Sequence, residues 1–84
     1  MRCSCCGKKR NFFESYERII DSGNEFNLCV DCCKPVYKIR DFANIGDWES
    51  MNKYINVTKV RINGTEDENF KNWIERFIDS AISG

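Results

Sequence analysis

The chain has 84 residues, of which six are cysteine and none is histidine. Its formal net charge is zero, with 13 Lys and Arg against 13 Asp and Glu, so it lacks the strongly basic balance typical of general nucleic-acid binding. A chain this short forms one small domain and commonly needs a metal ion, disulfides or a partner subunit for stability, and no apolar run approaches the roughly 20 residues of a membrane span.

Two CxxC pairs dominate the sequence and are separated by 22 residues. In each pair a tight turn directs both sulfurs toward one ion, so two pairs at this separation predict a single tetrahedral four-thiolate site. Gly7 follows the first pair directly, which suits a knuckle turn with positive φ. The predicted metal ligands are Cys3, Cys6, Cys29 and Cys32.

The cysteines are interpreted as metal ligands because the first pair begins almost at Met1, which leaves no room for a signal peptide. We therefore expect a cytoplasmic protein, in which thiols stay reduced and disulfides are rare. Cys5 and Cys33 remain outside the two pairs. We interpret Cys33 as a small buried helix residue and Cys5 as a residue at a knuckle position that many residue types could occupy. The alternative is a swap of the ligand register, a redox role or a second-metal role.

Zinc, one ion per chain, is favoured over iron. A rubredoxin-type iron site also uses two CxxC pairs but usually carries glycine after both, whereas Lys34 and Pro35 follow the second pair here. Four protein thiolates leave no position for a nucleophilic water, so the predicted zinc is structural. Without it, we expect the half of the chain that carries the cysteines to be largely unfolded.

The elements between and after the cysteine pairs predict a zinc finger. The turn residues of 21–24 join two short strands, 17–20 and 25–29, into a β-hairpin. A helix is expected to begin near Cys32 with Asp31 as its N-cap and Pro35 in its first turn. Knuckle, hairpin and helix follow each other in this order in a treble-clef finger. The apolar face of the helix is predicted to contain Val36, Ile39 and either Phe42 or Ala43.

The C-terminal half is predicted to be an extension of the finger. Gly46 ends the first helix, and Asp47 caps a short helix over 48–55, although the β-branched and aromatic residues of 54–62 favour a strand as the alternative. Thr65 and Glu68 fit a capping box that opens an amphipathic helix over about 66–82. The expected fold is a small α+β zinc-stabilised domain, with the finger in residues 1–43 and an extension in 44–84 that packs on the finger or on a partner subunit.

Three segments carry a resemblance to a known family: Cys3-Ser4-Cys5-Cys6-Gly7-Lys8, Ile19-Ile20-Asp21-Ser22-Gly23 and Phe26-Asn27-Leu28-Cys29-Val30-Asp31-Cys32. Over residues 3–40 the chain resembles the N-terminal four-cysteine zinc-binding domain of the ClpX unfoldase family. That domain is a treble-clef finger that dimerises and recruits adaptor or substrate proteins. The resemblance implies zinc on the same four cysteines, but no ATPase module follows in this chain, and residues 41–84 match no part of the family pattern.

These features predict a non-enzymatic protein-interaction module, such as a small adaptor, regulator or accessory protein, with a protein partner or a second copy as its binding partner. The aromatic side chains of the 66–82 helix have two alternative roles: they pack the helix on the finger, or they form the interface of a homodimer. No catalytic constellation, small-molecule substrate or membrane association is indicated. The alternative is a nucleic-acid-binding finger that uses Lys8, Lys9 and Arg10, with Phe12 and Phe13 for stacking.

Overall fold

The computed structural model describes residues 2–11, 14–21 and 23–83. These residues form a two-stranded antiparallel sheet and three α-helices, which confirms the expected small α+β fold at this level. Phe12 and Phe13, proposed for stacking, lie outside the described residues. The elements in chain order are β1 (Tyr16–Asp21), β2 (Asn24–Cys29), α1 (Val30–Ile45), α2 (Trp48–Arg61), a 3-10 turn (Ile62–Gly64) and α3 (Glu68–Ser83).

The first cysteine pair lies in a tight turn that is held by its own backbone hydrogen bonds. The Cys3 amide donates to the Lys8 carbonyl at 2.9 Å, and the Gly7 amide donates to the Cys3 carbonyl at 2.9 Å. Gly7 has a φ of 77°, in the left-handed region that glycine adopts without steric cost. This turn is attached to the hairpin, since the Ser4 amide donates to the Asn27 carbonyl at 2.7 Å.

The hairpin is tighter than predicted. Asp21 pairs with Asn24 across the strands, so these two residues belong to the strands and the predicted four-residue loop over 21–24 is wrong. Gly23 has a φ of 83°, a left-handed conformation that favours a tight connection. The predicted alternation of the second strand is confirmed, because Phe26 and Leu28 are buried.

Helix α1 begins at Val30, two residues before the predicted start. The N-cap is Cys29, whose backbone is extended and whose side chain makes no capping hydrogen bond, so the prediction of Asp31 as the cap is wrong. The physical reason is that β2 continues directly into the helix without an intervening loop. Pro35 consequently lies in the second turn, beyond its predicted place. Gly46, with a φ of 75°, ends the helix as expected, and its apolar face contains Val36, Ile39, Phe42 and Ala43.

Helix α2 is a single helix over Trp48–Arg61, so both the shorter helix over 48–55 and the strand over 54–62 are wrong. The predicted cap is correct, since Asp47 Oδ1 accepts from the Ser50 amide at 3.2 Å. Met51, Ile55 and Thr58 are buried at helical spacing. Packing of this face outweighs the β-propensity of the segment, which by itself is a weak preference.

Helix α3 begins at Glu68, close to the predicted position, but it uses a different cap. The Phe70 amide donates to Asp67 Oδ1 at 3.0 Å, so the predicted capping box from Thr65 is wrong. The Thr65 hydroxyl instead donates to the Ser4 carbonyl at 2.6 Å, which draws it toward the first cysteine pair. The apolar face of α3 is buried within the chain and comprises Phe70, Trp73, Ile74 and Ile78.

The core is shared between the cysteine-bearing half and the C-terminal half. The Phe26 and Phe70 rings meet edge to face with their centroids 5.2 Å apart, and Trp73 Nε1 donates to Asp21 Oδ2 at 2.8 Å. Helix α3 therefore packs on the hairpin. Among the helices of the described ranges, none combines the length and apolar character needed to cross a bilayer.

Candidate metal centre

The structure brings the four predicted ligands together at one point. Cys3 and Cys6 come from the knuckle turn, Cys29 ends β2, and Cys32 lies in the first turn of α1. Their sulfurs all lie within 4.8 Å of one another, and the Cys6 and Cys29 sulfurs are 3.9 Å apart. Tetrahedral zinc with bonds of about 2.3 Å requires sulfurs roughly 3.8 Å apart. The group therefore needs only a small contraction to hold one ion.

The sulfurs of Cys3 and Cys32 accept hydrogen bonds from residues outside their own CxxC pairs. The Cys29 amide donates to Cys3 Sγ at 3.3 Å, which ties the end of β2 to the knuckle. Arg61 Nη1, from the end of α2, donates to Cys32 Sγ at 3.6 Å. Such donors stabilise the thiolate form over the thiol. The thiolate form of Cys32 is also stabilised by its place in the first turn of α1, where the helix dipole favours negative charge.

The donor chemistry fits a cation. The hydrogen bond from the Cys32 thiol lowers the pKa of Cys3 to about 4, whereas hydrogen bonds with the Cys3 and Cys5 sulfurs, followed by burial, raise the pKa of Cys32. Burial is the main reason that the pKa of Cys29 is also raised. Buried thiols this close do not all ionise together. A divalent cation allows all four thiols to lose their protons, because it deprotonates the thiols that bind it.

The two remaining cysteines are buried but lie outside the four-sulfur group. Cys5 lies in the knuckle with 0% of its surface exposed, and its sulfur is within hydrogen-bonding reach of Cys32. Cys33 lies on the buried side of α1, and burial raises the pKa of its thiol. The burial of Cys33 agrees with its interpretation as a small buried helix residue, whereas the complete burial of Cys5 was not predicted.

The three basic residues proposed for nucleic-acid binding lie beside the knuckle. Lys8 Nζ is 2.7 Å from Glu14 Oε1, and Arg10 Nε donates to the Glu14 carbonyl at 2.8 Å. Lys9 is exposed, and its backbone bridges to Arg2. Two of the three side chains thus already contact the Glu14 segment.

Arg61 and the residues after it were not identified from the sequence as part of this region. The Asn63-Gly64 pair predicts a turn, but the sequence does not indicate that the turn lies against the first cysteine pair. The charge of a four-thiolate site favours a cationic neighbour, yet that signal alone does not distinguish Arg61 from the other Lys and Arg residues.

Comparison of the chain with protein-family models, with curated proteins and with solved structures finds no significant match. The fold and the site therefore define its class by themselves. It is a small α+β protein in which four clustered cysteines can hold a metal ion.

Proposed function

We propose that this chain is a non-enzymatic, zinc-stabilised protein-interaction module of the treble-clef type. The observation that carries the proposal is the convergence of four cysteine sulfurs, within 4.8 Å of one another, from a knuckle turn and a helix N-terminus. The second CxxC pair leads directly into α1 instead of into a second glycine turn. This connection favours zinc over a rubredoxin-type iron site.

The metal has a structural role in this proposal. Four protein thiolates complete the tetrahedral coordination of zinc, so no position is left for a water nucleophile. The binding free energy of the ion contributes instead to folding of the chain around the site. Reduced thiols are required for this coordination, so the proposed location is the cytoplasm.

The interaction role is supported by exposed apolar side chains and by the resemblance to the ClpX zinc-binding domain. Ile45 and Trp48 flank the turn between α1 and α2, with 73% and 47% of their surface exposed. The apolar face of α3 is already buried on the hairpin and α1, so this turn is a better candidate for partner contact. We propose a second copy of the chain as the first partner, because the ClpX zinc-binding domain that the chain resembles dimerises.

Native mass spectrometry of the freshly purified protein tests the metal and the partner together. The expected spectrum shows one zinc per chain and a dimer that weakens in Trp48→Ser but not in the control Ile82→Ser, which changes an exposed residue of α3. A zinc-loaded monomer at every concentration would overturn the second copy as partner. A metal-free chain, lighter by the hydrogens lost on disulfide formation, would overturn the zinc site.

A further inference from the structure

Arg61 makes a contact with the metal centre that its position in the sequence does not suggest. It is the last residue of α2, 29 positions from Cys32, and its Nη1 atom donates to Cys32 Sγ at 3.6 Å. The Arg61 guanidinium, which is charged at any ordinary pH, thus lies at the edge of the four-sulfur group.

The charge of the site explains why a cation is favourable there. One divalent ion with four thiolates carries a formal charge of −2, part of which is buried with the cysteines. Two other basic side chains nearby make their hydrogen bonds elsewhere: Lys8 pairs with Glu14, and Arg2 Nη1 donates to the Gly7 carbonyl. Among the described residues, Arg61 supplies a full positive charge directly to a ligand sulfur.

The segment that follows Arg61 is held against the knuckle by two further contacts. The backbones of Gly64 and Gly7 approach so closely that a Cβ on either would overlap the segment opposite. The Thr65 hydroxyl donates to the Ser4 carbonyl at 2.6 Å. One turn before Arg61, Thr58 is buried on the inner side of α2. Residues 58–65 therefore contact the metal-binding region at three places: the Cys32 sulfur, the backbone of the knuckle at Gly7 and the Ser4 carbonyl.

We propose that Arg61 is the charge partner of the metal centre, so that metal binding orders the end of α2 and the turn after it as well as the cysteine-bearing half. This inference rests on the proposed metal site and extends it to residues outside the predicted finger. Loss of such an outer partner typically weakens metal binding by about 10- to 100-fold.

The test compares zinc affinity in matched variants of the full chain, measured by competition with a chromophoric chelator. Arg61→Gln removes the charge at the sulfur, and Lys59→Gln removes the same charge from an exposed position on the same helix. Cobalt absorption in each variant reports whether the four-thiolate coordination is kept. We expect Arg61→Gln to bind zinc about 10- to 100-fold more weakly, Lys59→Gln to match the wild type, and Arg61→Lys to recover part of the loss.

The outcomes separate this proposal from the metal site itself. If the wild type binds zinc and Arg61→Gln weakens binding no more than Lys59→Gln, the role of Arg61 is overturned while the metal site stands. If the wild type binds no metal, the proposed metal site is overturned, and the role of Arg61 is overturned with it. Hydrogen exchange of the wild type gives a measurement that does not depend on variant folding: zinc is expected to protect amides of residues 58–65, and protection confined to residues 2–45 would overturn the coupling.

Discussion

The backbones of Gly7 and Gly64 are in direct contact, so that a β-carbon on Gly64 would overlap the Cys6 carbonyl oxygen. Gly7 closes the first cysteine knuckle and Gly64 ends the turn after α2. Two segments far apart in the chain therefore depend on glycine at their meeting point, for steric reasons and independently of any metal.

This contact predicts that Gly64→Ala destabilises the protein even though Gly64 does not have positive φ. The added methyl group has to displace backbone, so we expect a loss of about 1–3 kcal/mol in the free energy of unfolding. The exposed neighbour Asn63 provides the control. Asn63→Ala is expected to stay within about 0.5 kcal/mol of the wild type in urea denaturation followed by circular dichroism. Equal stability of the two variants would contradict the close contact.

Trp73 is predicted to contribute to stability through its indole N–H as well as its ring. Trp73→Phe keeps an aromatic ring but removes the donor to Asp21 Oδ2. A hydrogen bond to a charged group contributes about 1.5–3 kcal/mol, and we expect a loss of this order in chemical denaturation. Trp48→Phe, at an exposed position, is the matched control and should change stability little. A Trp73→Phe variant as stable as that control would show that the hydrogen bond is dispensable.

The ligand assignment predicts different outcomes for the cysteines. Cys6→Ser removes one sulfur from the four-sulfur group and should lose zinc readily to a chelator, together with much of the helical circular dichroism. Cys33→Ala alters a buried cysteine outside the group and should retain one zinc per chain, because the donor set is unchanged. Metal content by elemental analysis distinguishes them, and loss of zinc from both variants would place Cys33 in the site.

Zinc binding is predicted to release protons and to strengthen as pH rises. In the cluster without an ion, the raised pKa values of Cys29 and Cys32 keep these thiols protonated at neutral pH, and both protons must leave when zinc binds. Cys3, whose pKa is lowered to about 4, is already ionised above that pH and contributes little. Calorimetry in buffers of different ionisation enthalpy measures the proton release. An affinity that does not change between about pH 6 and pH 8 would contradict thiol ligation.

Nucleic-acid binding by the basic residues of the knuckle is predicted to be weak. Lys8 is paired with Glu14 and Arg10 is hydrogen-bonded to the Glu14 backbone, so only part of the expected charge is available to phosphates. We expect no retention of single-stranded DNA or RNA even at about 50 mM salt. Retention that falls steeply with salt and is reduced in Lys9→Gln would instead favour the nucleic-acid alternative.

Several elements were predictable because their signals are local. The alternation of Phe26 and Leu28 indicates the buried face of β2, and the helical spacing of Phe70, Ile74 and Ile78 indicates the buried face of α3. The α2 segment was ambiguous because its β-branched residues favour a strand. Its helical conformation follows from packing of Met51 and Ile55 in the core, which local propensity does not report.

The sequence by itself determined which cysteines meet, because a CxxC turn brings its two sulfurs together within a few residues. Tertiary structure alone decided what surrounds them. Thr65 bonds to Ser4 across 61 positions, and Arg61 reaches Cys32 across 29. Contacts at such separations depend on how the helices pack, and no local pattern of residue types records that packing.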